Sequence, residues 1–184
     1  MIEKLQVVLL ELQDLLGEFG EVVIAGGSVR DALMGKQYKD IDCFILSGGY
    51  GDSWGKLATA IRPKLENYKK INPVVEWHKS EPYLLESITH ECGEIQIMLR
   101  NLKTADELLD TFDWNISLFA LTNEGVISRE DIQNIRLGGE LWTQNITHPK
   151  STLRRGYRFS ERFKMKIRNG EIEKICQKII DNIK

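Results

Sequence analysis

Apolar residues recur at intervals of three and four near the start of the chain, at Leu5, Val8, Leu9, Leu12, Leu15 and Leu16. That spacing predicts one buried face of a helix that stops near Gly17. The pattern then changes. EVVIAGG is short, β-branched and closed by glycines, which predicts a buried strand, and SVRDALMG predicts a short helix with Ser28 as its N-cap and Gly35 as its stop. KDIDCFIL predicts a second strand, and the stretch from Trp54 to Leu65 a helix that continues around Pro63. VVEWH (74–78) and GEIQIML (93–99) predict two further strands, and alternation in the second puts Glu94 and Gln96 on one face.

Beyond them, TADELLDTF predicts a helix, and FDWNISLFALTNEGVI runs through apolar residues into a turn at Asn123-Glu124-Gly125. From Pro149 the period is helical again, with Leu153, Tyr157 and Phe159 interleaved with arginines, followed by EIEKICQKIIDNI. The order helix, strand, helix, strand, helix, strand, strand predicts an α/β sheet whose strand ends gather at the glycine turn.

Composition adds bounds. A chain of 184 residues with 42% hydrophobic and 28% charged residues is an ordinary globular composition, enough for one core or a core with a small appendage. Glu11, Asp14 and Glu18 interrupt the apolar N-terminus, so it reads as neither a signal peptide nor a membrane span, and a cytoplasmic protein without membrane partners is expected. Cys43, Cys92 and Cys176 lack any CxxC spacing and are expected as free thiols. The net charge of −2 is unevenly placed: residues 148–184 carry eleven Lys/Arg against four Asp/Glu, or +7, leaving −9 for residues 1–147. We therefore expect a head, 1–147, followed by a basic helical neck, 148–184, able to hold phosphates.

The densest chemistry lies in GGSVRDALMGKQYKDID, residues 26–42. A strand, Gly26-Gly27-Ser28 and a helix form a turn whose backbone can approach an anion closely. Asp40 and Asp42, two apart on a strand, project to the same side about 6–7 Å apart. Two like charges so placed are costly unless a cation lies between them. Magnesium fits, because it takes carboxylate oxygens together with substrate phosphates, and two such ions can assist an in-line displacement at a phosphate.

These residues closely resemble the signature GGxVRDxLLGxxxxDxD of the bacterial-type tRNA nucleotidyltransferases (CCA-adding enzymes) and poly(A) polymerases, the class II branch of the DNA polymerase β-like superfamily. The resemblance implies a polymerase β-like α/β (α+β) head, a small mixed sheet flanked by helices, with a helical neck. It also implies transfer of a nucleoside monophosphate from an NTP to an acceptor hydroxyl with two Mg²⁺ ions. LLDTFDWNISLFAL is similar to the family's LRRRDFTINALA segment, which places Asp113 at the ribose-contacting aspartate but puts Thr111 and Phe112 where two arginines stand, and Ser117 at an asparagine. NEGVISREDIQNIRL resembles the linker that follows, with Asp131 at its aspartate, and RRGYRFSERFKMKI resembles the neck helix, with Arg155, Arg158 and Arg162 on its arginines. The base-selecting EDxxR element is replaced by THPKS, with His148 near its aspartate and Ser151 near its arginine.

From the resemblance, Glu94 is the candidate third catalytic carboxylate beside Asp40 and Asp42, with Gln96 as its neighbour. Gly26, Gly27, Ser28, Arg30, Asp113, Arg155 and Arg158 are candidates for the nucleotide, and Arg154, Arg155, Arg158 and Arg162 for RNA or phosphate. Arg30 and Asp31 read equally as a structural ion pair, and Arg100 as a phosphate contact or a surface arginine. Trp114 reads as core, and His78, His90 and His148 as isolated. A tRNA-like RNA acceptor is expected. Because the chain stops about where the family's body and tail domains begin, a partner protein or a second copy is expected to help grip it. A small-molecule or protein acceptor and a non-catalytic nucleotide- or RNA-binding relative are the alternatives.

Overall fold

The structure, a computed structural model, describes residues 1–48, 54–66, 69–72, 76–78, 81–84 and 86–182. Helix α1 (Ile2–Leu16) ends at Gly17 as its spacing predicts, with Leu5, Val8, Leu9, Leu12 and Leu16 buried. Strand β1 (Glu21–Ala25) follows, then helix α2 (Gly27–Leu33) and strand β2 (Asp40–Leu46). Gly26, not Ser28, is the N-cap of α2: it sits at φ 86°, and Ser28 lies inside the first turn without capping it. Helix α3 (Trp54–Lys64) continues through Pro63 in its last turn.

Seven strands form one mixed sheet: β3 (Lys69–Asn72), β6 (Glu86–His90), β7 (Gly93–Arg100), β2, β1, β8 (Phe119–Thr122) and β9 (Gly125–Ser128), in that spatial order. Among the described pairings of this sheet only β2 and β7 run parallel, and their register sets Asp40 opposite Glu94 and Asp42 opposite Gln96. A separate hairpin joins β4 (Glu76–His78) to β5 (Glu81–Leu84). Of the predicted VVEWH strand, residues 74 and 75 lie outside the described residues.

Five of these strands, β3, β5, β6, β8 and β9, are not individually legible in the sequence. For β8 the reason is physical: FALT is buried throughout, so it lacks the alternation that marks a strand with one wet face.

One sheet face packs Val22, Ile24, Ile41, Cys43, Ile45, Ile95 and Ile97 against α1, α2 and α3. The other packs Val23, Phe44, Leu46 and Met98 under helix α4 (Ala105–Asp110), whose Thr104 cap accepts from the Glu107 amide. Helix α4 covers only part of that second face. The Asp40–Asp42 end of β2 is left open to a cleft. Helix α5 (Ile132–Arg136) is capped by Asp131, and the short strands β10 (Glu140–Leu141) and β11 (Lys166–Ile167) pair in parallel. Helices α6 (Pro149–Phe163) and α7 (Glu171–Asp181) complete the described chain. Among the described residues no helix is long and apolar enough to cross a membrane. The three cysteines are free, and burial pushes the Cys43 thiol up to about 12.

Candidate active site

A cleft of about 640 Å³ opens where β1 passes into α2. Its floor follows from strand alternation: Asp40, Asp42 and Phe44 share one face of β2, and Met98 and Arg100 come from the same face of neighbouring β7. Gly26, Gly27 and Ser28 form one wall. At its φ of 86° Gly26 turns the chain so tightly that a Cβ there would stand 3.8 Å from the Asp42 Oδ2 and 3.8 Å from the Phe112 ring. The glycine turn and the second aspartate therefore face each other directly.

Two features mark this wall and floor as unsatisfied. Ser28 is 3% exposed and its Oγ has no hydrogen-bond partner among the described residues, which is unusual for a buried hydroxyl. The Asp42 carboxyl is pushed up to about 6, first by burial and then by the neighbouring Asp40 charge. Hard carboxylate oxygens repelling one another in a half-buried cleft fit a divalent cation such as Mg²⁺, with water and substrate phosphates completing its coordination.

The opposite wall comes from α6. Thr152, Arg155, Arg158, Phe159 and Arg162 all line the cleft, because steps of three and four return to one helical face. Two ion pairs, Arg162–Asp31 and Arg155–Asp113, fasten this helix to the rest. Arg162 Nη2 donates to Asp31 Oδ2 at 2.7 Å, and Arg30 Nε donates to Asp31 Oδ1 at 2.8 Å. Arg30 also donates to the Ile116 carbonyl and lies 4.5 Å over the Phe163 ring; burial lowers its pKa. Arg155 donates through Nε, at 2.9 Å, and Nη2 to Asp113 Oδ2, while Asp113 Oδ1 accepts from the Trp114 amide. Trp114 is fully buried and donates from Nε1 to the Thr152 carbonyl at 2.9 Å. Its ring is so close to α6 that a Cβ on Gly156 would lie 2.3 Å from it.

The cleft thus brings together Asp40, Asp42, Gly26, Gly27, Ser28, Arg30, Asp113, Arg155, Arg158 and Arg162. It does not bring in Glu94 or Arg154. Glu94 does share the face of Asp40 through the strand register, yet its Oε1 accepts from Ser87 Oγ at 2.6 Å and it stands outside the cleft lining. Gln96 is also outside the lining. Among the described residues no three His, Cys, Asp or Glu side chains form a ready metal cluster. Arg100 is 6% exposed and on the floor, so it is not a surface arginine. His148 lines the cleft whereas Ser151 does not; His90 meets Glu11 at 3.1 Å on the far side of the sheet, and the His78 side chain lies outside the described residues.

Tyr38, Lys39, Phe44, Met98, Asn145 and Thr147 line the cleft without having been singled out in the sequence. For Phe44 the signal was present, since it stands four residues from Asp40 on the same strand. For Asn145 and Thr147 no local pattern exists, because a loop carries them in.

A family model described as Gabija anti-defense 2 family protein matches residues 3–133. Comparison with curated proteins gives no match. Among solved structures, a CCA-adding enzyme in complex with ATP is 20% identical, with a TM-score of 0.63 over 98% of this chain and 45% of that one. A tRNA-processing enzyme in apo form is 16% identical, with a TM-score of 0.64 over 97% of this chain and 47% of that one. The Thermotoga maritima CCA-adding enzyme complexed with tRNA is 22% identical, with a TM-score of 0.56 over 94% of this chain and 42% of that one. At these identities the likeness establishes the nucleotidyltransferase head fold, and the chain spans under half the length of each of these structures.

Proposed function

Since the chain belongs to the Gabija anti-defense 2 family and folds as a nucleotidyltransferase head, we propose that it transfers a nucleoside monophosphate from an NTP to an acceptor hydroxyl. The observation that carries this reading is the facing of Gly26 and Asp42 across the cleft, with the Ser28 hydroxyl, unpartnered among the described residues, beside them. The triphosphate would lie between the turn and the aspartates, with Arg158 and Arg162 on its far side. Asp40 and Asp42 would hold Mg²⁺, which supplies charge neutralisation for the pyrophosphate as it leaves. Glu94 would act at most through its Ser87 bond, so the proposed site uses two carboxylates. The acceptor oxygen attacks the α-phosphorus and loses its proton, the α–β phosphoanhydride bond breaks, and pyrophosphate departs. Water-poor walls from Phe44, Phe112 and Phe159 would strengthen the charge interactions inside.

An RNA 3′ hydroxyl is the acceptor favoured by the basic α6 and by the tRNA-bound neighbour. A protein hydroxyl is a second reading. It is favoured by the anti-defence family, whose name implies a target in a defence system, and by the engagement of Arg155 and Arg162 with Asp113 and Asp31. Incubation with each α-labelled NTP, Mg²⁺ and either total RNA or protein lysate separates them, with the double variant Asp40→Ala/Asp42→Ala as control. Label on RNA supports the first reading and label on protein the second. Labelling that the control retains contradicts the assigned site.

A further inference from the structure

The solvent face of α6 continues the cleft outward. Lys150, Arg154 and Arg158 stand four residues apart, so they form a row with a rise of about 6 Å per step. That is the scale on which an extended strand presents successive phosphates. Lys150 and Arg154 are exposed, and Arg158, also exposed, lines the cleft as well, so the row runs from open solvent into the site. Beside it Tyr157 is 54% exposed, one of the few large apolar rings the described surface offers to water. Arg162, the next position of the same row, and Arg155, on the adjoining face, are held by carboxylates. Among the described residues Lys150, Arg154 and Arg158 form no ion pair with a carboxylate, so the uncompensated part of the row ends where Asp31 takes Arg162.

We propose that this face is the track for a single-stranded RNA acceptor: Lys150, Arg154 and Arg158 contact consecutive phosphates and Tyr157 stacks one base, leading the 3′ end to Asp40 and Asp42. The track rests on the nucleotidyltransferase reading for its purpose but not for its binding. Alternating cation and aromatic is the arrangement that holds single strands without reading sequence. A docked protein segment would instead need an apolar surface, and this face offers only one ring.

The test is fluorescence anisotropy of a labelled short single-stranded RNA with a free 3′ hydroxyl, titrated at several salt concentrations. Three phosphate contacts predict a slope of log affinity on log salt of about −2, and Arg154→Ala should reduce its magnitude by about 0.7. Tyr157→Ala should weaken binding about tenfold with the slope unchanged. A slope untouched by Lys150→Ala and Arg154→Ala, or full affinity in Tyr157→Ala, overturns the track. NTP binding, followed separately by calorimetry, distinguishes the two failures. NTP bound without salt-dependent RNA binding sinks the track alone, and RNA bound with the expected slope but no NTP sinks the nucleotidyltransferase reading alone.

Discussion

Arg162 on α6 reaches Asp31 on α2 at 2.7 Å, and the same buried carboxylate holds Arg30 through its other oxygen. The two arginines differ in exposure, with side chains 50% and 2% exposed, which separates what each contributes. Asp31→Asn should cost about 3–5 kcal/mol, because it leaves the Arg30 guanidinium buried without its counter-charge. Arg162→Ala should cost no more than about 1 kcal/mol, since its charge stays half in water. Chemical denaturation of both variants measures the difference. Equal losses would mean that Asp31 does not serve Arg30 as described.

Asp42 sets a pH dependence of unusual sign. Its carboxyl is raised from 3.8 to about 6 in the folded protein, so the folded state binds the proton more tightly than the unfolded one. This group therefore favours folding most below about pH 4, and that contribution is lost as pH rises through about 6. Asp42→Asn removes the loss. The variant should be more stable than the parent by roughly 1–3 kcal/mol above pH 6, the gap should close towards pH 4, and Mg²⁺ should stabilise only the parent. Thermal melts across pH with and without Mg²⁺ read all three effects, and a gap that widens on acidification would refute the sign.

Gly156 is required by packing. A Cβ there would lie 2.3 Å from the Trp114 Cζ2, and Trp114 has no exposed face into which it could retreat. Gly156→Ala should cost about 1–3 kcal/mol by overpacking, despite the better helix propensity of alanine. Near-ultraviolet circular dichroism together with a melt would report the displaced indole and the lower stability.

At Gly26 both conformation and space are at issue. Its φ of 86° with ψ of −136° lies where residues other than glycine rarely settle, so Gly26→Ala should cost about 1–3 kcal/mol. The added methyl would also stand 3.8 Å from Asp42 Oδ2, in the space assigned to the phosphates. NTP affinity should fall at least tenfold in protein that is still folded, as calorimetry below the melting temperature would show. Unchanged affinity would move the triphosphate away from the turn.

Much of this site could be read from the chain because it is local. The glycine turn, the two aspartates and the arginines of α6 each sit in a short run whose period fixes which side faces which. What the sequence left hidden is tertiary. Glu94 was the resemblance's candidate for a third carboxylate, and the β2–β7 register does set it beside Asp40; its bond to Ser87 depends on β6, a strand with no clear pattern. The Arg155–Asp113 and Arg162–Asp31 pairs join residues 42 and 131 positions apart, a distance that periodicity does not span. Ser28 illustrates the same limit locally: a serine after two glycines reads as a cap, but the helix begins two residues earlier, at the Gly26 cap, and Ser28 lies in its first turn on the cleft wall.

The central claim is cleavage between the α and β phosphates at Asp40 and Asp42, and its most direct measurement follows the two ends of one NTP. With Mg²⁺ and acceptor present, α-label should pass to the acceptor while γ-label leaves as pyrophosphate in equal amount, and Asp40→Asn/Asp42→Asn should abolish both. Release of γ-label as orthophosphate, its transfer to the acceptor, or pyrophosphate production that survives in the double variant would contradict the account.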